Sequence, residues 1–158
     1  MANEDLGRVT AEQNGHTLEI TVDRQTKRNA FTPEMFADMQ AAYTRLDEDE
    51  SLRVGLVRFA GAHTTAGLDL PKFFGNMQRD AGSDEKTEDV VDVFALKRRC
   101  SKPIVIAVQG ITFTIGLEMM LAADIAIAAD DCRFCQMEPK RGLGVFAGGN
   151  FRQVERAG

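Results

Sequence analysis

From Lys102 to Ala128 the chain reads KPIVIAVQGITFTIGLEMMLAADIAIA, and this stretch decides the fold class. Pro103 to Val108 is a run of β-branched and small apolar residues, the composition of a buried strand. Gly110 to Thr114 reads as a turn, Ile115 to Ala123 as an apolar helix, and Ile125 to Ala128 as a return to strand. Strand, turn, helix and strand in so short a span call for helices laid against a sheet.

Towards the N-terminus the same alternation of elements recurs. His16 to Val22 places Leu18, Ile20 and Val22 on one face, the period of a half-buried strand, and Arg8-Val9 begins an antiparallel partner. Gln25 to Asn29 is polar and turn-like. Thr32 followed by Pro33 supplies an N-cap and a proline at the first helical position, so a helix is expected from about Pro33 to Leu46. Met35, Phe36, Met39, Tyr43 and Leu46 recur at helical steps and mark its core face. Arg53 to Ala60 reads as a strand covered on both sides, because Val54, Leu56 and Val57 scarcely alternate with polar residues. Gly75 to Asp89 has the composition of a surface loop, and Val90 to Arg99 reads as a helix whose Lys97, Arg98 and Arg99 end in solvent. Strand, turn and helix units repeat in shape without repeating in sequence, which predicts an α/β layered fold.

The chain has 158 residues, 44% of them apolar and 27% charged, within the range of one globular domain. Its formal charge is −5 and its cations are scattered, which argues against a nucleic-acid partner. Apolar runs are too short to span a bilayer and the first residues lack a secretory pattern, so a soluble cytoplasmic protein with no membrane partner is expected. Cys100, Cys132 and Cys135 are an odd set that suits free thiols. Cys132 and Cys135 form one C-x-x-C pair, but His16 and His63 stand alone and no second pair completes a zinc site, so no metal is expected.

Two acidic residues stand apart from the solvent faces. Glu118 lies in a run of apolar residues and glycine, where a carboxyl group must be desolvated, paired or functional. A structural role, bonded to a nearby backbone donor or an arginine, accounts for the same pattern. Its helix also begins near Ile115, so unpaired N–H groups and a positive dipole end share a face with it. An oxyanion and a proton-transfer group fit together there. The segment from Thr65 to Leu70 follows a buried strand and has the small residues that let a backbone approach a ligand. Glu138 leaves the short strand Arg133 to Gln136 just before Pro139, at a position where side chains are presented to a site.

Taken together, these segments resemble the enoyl-CoA hydratase/isomerase (crotonase) family. Lys27-Arg28-Asn29-Ala30-Phe31 resembles its K-R-N-A-L, Ala66-Gly67-Leu68-Asp69-Leu70 its A-G-A-D-L, and Lys102 to Gly110 its K-P-V-I-A-A-V-N-G. Ile115-Gly116-Leu117-Glu118 is similar to G-G-G-x-E, Ala122 to Ile125 to A-C-D-I, and Phe134 to Glu138 to F-G-x-P-E. The resemblance implies a crotonase-like α/β spiral of ββα units, with residues 1–158 forming its core domain short of the C-terminal helices. It further implies a coenzyme A thioester as substrate with no bound cofactor, and a homo-trimer or hexamer. The N–H groups of Leu68 and Ile115 would hold the thioester oxygen, Glu118 and Glu138 would move protons, and Arg28, Ala30, Ala66, Gly67, Asp69, Leu70 and Gly116 would line the substrate. Both glutamates match hydratases, which points to a lyase adding water. An isomerase of the same fold and a silent acyl-CoA-binding relative are the alternatives.

Three departures mark this chain within that pattern. Thr114-Ile115 stands where the family has Gly-Gly, Leu68 is larger than the usual Ala, and Pro139 follows Glu138 where the family places proline before it. A dinucleotide-binding fold lacks its G-x-G-x-x-G here.

Overall fold

The computed structural model describes residues 5–77 and 89–157. Its strands are β1 (Arg8–Asn14), β2 (Thr17–Asp23), β3 (Val54–Phe59), β4 (Ile104–Val108), β5 (Ile111–Phe113), β6 (Ile125–Ala128) and β7 (Arg133–Cys135). Its helices are α1 (Pro33–Glu48), α2 (Leu70–Met77), α3 (Ile115–Ala122) and α4 (Gly149–Ala157). The main sheet runs in the order β1-β2-β3-β4-β6, antiparallel at the first hairpin and parallel thereafter.

A second, shorter layer runs beside it. Phe31 bridges Leu68, Thr65 bridges Thr112, and β5 pairs with β7, all in parallel. Each turn of the chain thus gives one strand to the main sheet, one short extended piece to the second layer, and one helix. Four such turns stack into the expected spiral of ββα units.

Local chemistry accounts for most elements. Thr32 caps α1 by accepting the Met35 N–H at 3.2 Å, and Pro33 opens the helix. Met35, Met39, Ala42, Tyr43 and Leu46 are the buried face of α1, meeting Leu18, Ile20 and Val22 of β2 and Val57 of β3 in one core. In β3 the burial alternates, with Gly55, Val57 and Phe59 inside and Arg58 exposed, so the strand is not covered equally on both faces as its sequence predicts. Arg58 reaches across the strand pair to Thr21 and Glu19, which lets a charged residue sit on a strand whose other face is core.

Elsewhere too the structure departs from the sequence reading, and α2 and α4 are helices it did not expect. Residues 90–99 form no helix. The Asp92 carboxylate instead accepts the backbone N–H groups of Phe94, Leu96 and Lys97, a local side-chain bonding that competes with helix formation. Val91 and Val93 are buried there, while Arg98 pairs with Asp47 and Glu48 and Arg99 with Asp124 instead of ending a solvated helix. The segment expected as a turn, Gly110 to Thr114, contains β5, whose partner β7 lies twenty residues further along the chain. Gly75 to Met77, read as the start of a loop, belong to α2; the remainder of that reading, residues 78–88, lies outside the described residues.

Candidate active site

The second layer carries the site. Phe31 donates its N–H to the Gly67 carbonyl at 2.9 Å and accepts from the Asp69 N–H at 2.8 Å. In a parallel bridge the residue between those two partners turns its own N–H away, so the Leu68 N–H is left pointing off this ladder. Gly67 makes the bend with φ +109°, a conformation that L side chains rarely adopt.

This loop is fastened from behind. Arg24 is buried and donates to the Asp5 and Ala30 carbonyls and to Asp69 Oδ2, the last at 2.9 Å. Asn29, in the left-handed region with φ +51°, accepts the Arg24 N–H and donates to the Ala60 and His63 carbonyls. Ala66 donates its N–H to the Arg28 carbonyl, and Thr65 Oγ1 donates to the Asn29 carbonyl. The residues from Arg24 to Ala30 therefore form a bracket on which the Thr65 to Leu70 loop rests.

One turn further on, Thr114 donates its N–H to the Cys135 carbonyl at 2.9 Å and begins α3. Ile115 is the first residue of that helix, so its N–H has no intrahelical carbonyl and no other partner among the described residues. Leu68 and Ile115 line a single cavity of about 520 Å³, within the range of small-molecule sites. Ala30, Ala66, Asp69, Leu70 and Glu138 line it too, together with Thr114, Pro71, Phe113, Met137 and Leu143. Lys27 and Arg141 add cations to the wall. Sequence reading did not name these last two as site residues: Lys27 opens the quoted motif of which only Arg28 and Ala30 were singled out, and Arg141 sits in an unremarkable polar run.

Other candidate residues stand behind the lining. Arg28 and Gly67 contribute backbone carbonyls to the bracket. Gly116 lies so close to the Thr65 methyl that a Cβ there would meet it at 2.6 Å. Glu118 is buried at 2% exposure on a helix whose Ile115, Leu117, Met119 and Leu121 are also buried. Its Oε1 accepts the N–H groups of Ala147 at 3.0 Å and Gly149 at 3.2 Å, from the loop that leads into α4.

Burial pushes the Glu118 carboxyl above its ordinary value, and the neighbouring charge of Glu138 adds to the rise; the Gly149 and Ala147 N–H groups and Arg152 oppose it. Glu138 begins the 3-10 turn Glu138–Arg141 and has one oxygen, Oε2, that is buried and unbonded among the described residues. Both polar atoms of Gln136 are in the same condition, and a Cβ on Gly149 would lie 2.2 Å from Gln136 Nε2 and 3.1 Å from Glu118 Cγ. Glu138 thus shares the cavity lining with Leu68 and Ile115, whose N–H groups have no partner among the described residues, while the Glu118 carboxyl lies outside that lining and within electrostatic reach of Glu138. Such a set can hold an oxyanion on the backbone while protons move at adjacent atoms.

Cys132 Sγ donates to the Val108 carbonyl and Cys135 Sγ to Met137 Sδ; both are free thiols. Among the described residues no three His, Cys, Asp or Glu side chains gather as for a metal ion, and no helix is long and apolar enough to cross a membrane.

The model of the family described as enoyl-CoA hydratase/isomerase matches residues 12–158. Among curated proteins, the enoyl-CoA hydratase EchA19 of Mycobacterium tuberculosis is 32% identical over 92% of this chain and 55% of its own length. The mitochondrial Delta(3,5)-Delta(2,4)-dienoyl-CoA isomerase of Homo sapiens is 29% identical over 89% of this chain and 45% of its own length. The crystal structure of enoyl-CoA hydratase EchA1 from Mycobacterium marinum superposes with a TM-score of 0.77 at 33% identity, covering 97% of this chain and 57% of that one. The chain therefore spans about half the length of the curated relatives it matches.

Proposed function

The chain belongs to the enoyl-CoA hydratase/isomerase family, and on that premise we propose that its cavity takes a 2-enoyl-CoA thioester and adds water across the double bond. The observation that carries this reading is that Leu68, Ile115 and Glu138 line one cavity, with Glu118 buried within electrostatic reach of Glu138.

In the proposed reaction the thioester carbonyl oxygen accepts hydrogen bonds from Leu68 and Ile115. Water gives its oxygen to the β carbon and a proton to one carboxylate. The π electrons of the double bond move through the α carbon onto the carbonyl oxygen, where the two donors hold the enolate charge. The other carboxyl group then delivers a proton to the α carbon, so the net change is the addition of one water. A backbone donor aimed at a developing oxyanion is worth about 2.7–4 kcal/mol in comparable sites. The raised Glu118 carboxyl supports a role for it as the proton donor, since a general acid must hold a proton to give. Lys27 and Arg141 in the wall support an anionic carrier such as coenzyme A. The reading includes no resident cofactor and a homo-trimer or hexamer in the cytoplasm. Exposed Phe146 and Val154 support burial against further protein.

Mixing the chain with crotonyl-CoA tests the proposal through loss of the enoyl-thioester absorbance. Saturable loss that is abolished by Glu138→Gln and by Glu118→Gln supports it, and no loss with a thioester-bound chain overturns it. Likeness to the dienoyl-CoA isomerase keeps double-bond migration as the second reading. Turnover in ¹⁸O-water separates the two, because hydration fixes a solvent oxygen in the product and migration does not.

A further inference from the structure

Thr114, the residue before Ile115, lines the cavity in a conformation that does not suit it. Its φ is +49° and its ψ −114°, where a β-branched residue is a genuine outlier. Its hydroxyl oxygen is buried and has no hydrogen-bond partner among the described residues. Nor does that hydroxyl cap α3, the usual service of a threonine at this position. Both features are unfavourable, and both fall at the same residue of the site.

The side chain is directed across to the neighbouring loop. A Cβ placed on Gly67 would lie 2.4 Å from Thr114 Oγ1 but 3.5 Å from Thr114 Cβ and Cγ2. The hydroxyl oxygen therefore occupies the space beside the Gly67 backbone. Each end of this contact is anchored: Thr114 by its N–H on the Cys135 carbonyl, Gly67 by its carbonyl on the Phe31 N–H and by its N–H on Thr65 Oγ1. The peptide that follows Gly67 carries the Leu68 N–H, and the peptide that follows Thr114 carries the Ile115 N–H. One oxygen atom thus lies between the loop that carries the Leu68 N–H and the turn that carries the Ile115 N–H.

We propose that Thr114 is a positioning residue whose hydroxyl, seated on Gly67, sets the separation of the Leu68 and Ile115 N–H groups and so their grip on a thioester oxyanion. This rests on the thioester reading of the cavity. Hydrogen bonds to an oxyanion depend steeply on placement, and an error of about 1 Å in such a site costs on the order of 100-fold in rate.

The test compares the chain with Thr114→Gly and Thr114→Ser. Each is titrated with 4-(dimethylamino)cinnamoyl-CoA, a chromophore that absorbs further to the red when its carbonyl oxygen is polarised, then assayed on crotonyl-CoA and melted. In Thr114→Gly we expect a smaller red shift at similar affinity, and kcat lower by about 10- to 100-fold with KM little changed. The melting temperature should not fall, since glycine accepts the positive φ. Thr114→Ser, which keeps the oxygen, should restore the red shift and kcat. A full red shift and full kcat in Thr114→Gly overturn the positioning role and leave the thioester reading standing. A drop in kcat that only tracks a drop in melting temperature overturns it as well. A chain that never shifts the probe overturns the thioester reading, and the positioning role with it.

Discussion

Arg24 Nη1 lies 2.9 Å from Asp69 Oδ2, with the arginine side chain 2% exposed and the aspartate 18%. The pair ties the turn after β2 to the residue that follows Leu68, so it joins the first turn of the spiral to the second at the edge of the cavity. Removing the carboxylate leaves a buried guanidinium without its counter-charge. Asp69→Ala should cost about 3 kcal/mol of stability, and adding Arg24→Met should recover part of that loss. Chemical denaturation of the two single variants and the double variant measures the coupling.

Asn29 makes three hydrogen bonds from a buried amide while its backbone sits at φ +51°. Asparagine tolerates that backbone better than most residues. Asn29→Ala loses the bonds, leaves the Ala60 and His63 carbonyls short of a donor, and keeps the unfavourable φ. A loss of about 3 kcal/mol is expected from three bonds at roughly 1 kcal/mol each. The same variant should loosen the Leu68 loop, seen as faster amide hydrogen exchange at residues 66–69.

Glu118 gives the stability a definite pH dependence. Its folded carboxyl is raised from the ordinary value of 4.5, mainly by burial. Above that value the folded chain binds this proton more tightly than the unfolded chain does. Stability from this group is therefore complete below about pH 4.5 and is lost as the pH rises through the raised value. Glu118→Gln has no such proton, and its amide oxygen can still accept from Ala147 and Gly149. Thermal melts from pH 4 to pH 8 should show the unsubstituted chain falling relative to Glu118→Gln as the pH climbs.

Glu138 is the converse case, a cavity-lining carboxyl with one buried oxygen that nothing bonds among the described residues. Replacing it should touch stability little, because no partner is left stranded. Turnover should fall by about 10²–10⁴-fold, the usual worth of a positioned proton-transfer group. Crotonyl-CoA assays beside denaturant melts of Glu138→Gln separate the two effects. A large loss of stability with intact turnover would sink the assignment.

Much of this was readable along the chain. Thr32 and Pro33 announce α1, and the lone carboxyl of Glu118 among apolar residues announces itself by desolvation alone. The apolar runs at β2, β3 and β4 place the main sheet. What escaped depends on partners distant in sequence or on backbone angles. β5 is a three-residue strand that is extended because Arg133 to Cys135 and Thr65 lie beside it. The Asp92 loop competes with a helical pattern through bonds that the pattern does not reveal. The partners of Glu118 arrive with Ala147 and Gly149, about thirty residues later, and the positive φ of Thr114 has no signature in a threonine.

Leu68 and Ile115 line the cavity, and on the proposed reading they serve it through their main-chain N–H groups. Every residue except proline carries such a group, so substitution at these two positions leaves the proposed donors in place. Either side chain can therefore be enlarged, shrunk or reshaped without removing the N–H groups that the proposed reaction uses. On the proposed reading, acyl preference follows the side chains, while the donors are carried by the course of the backbone.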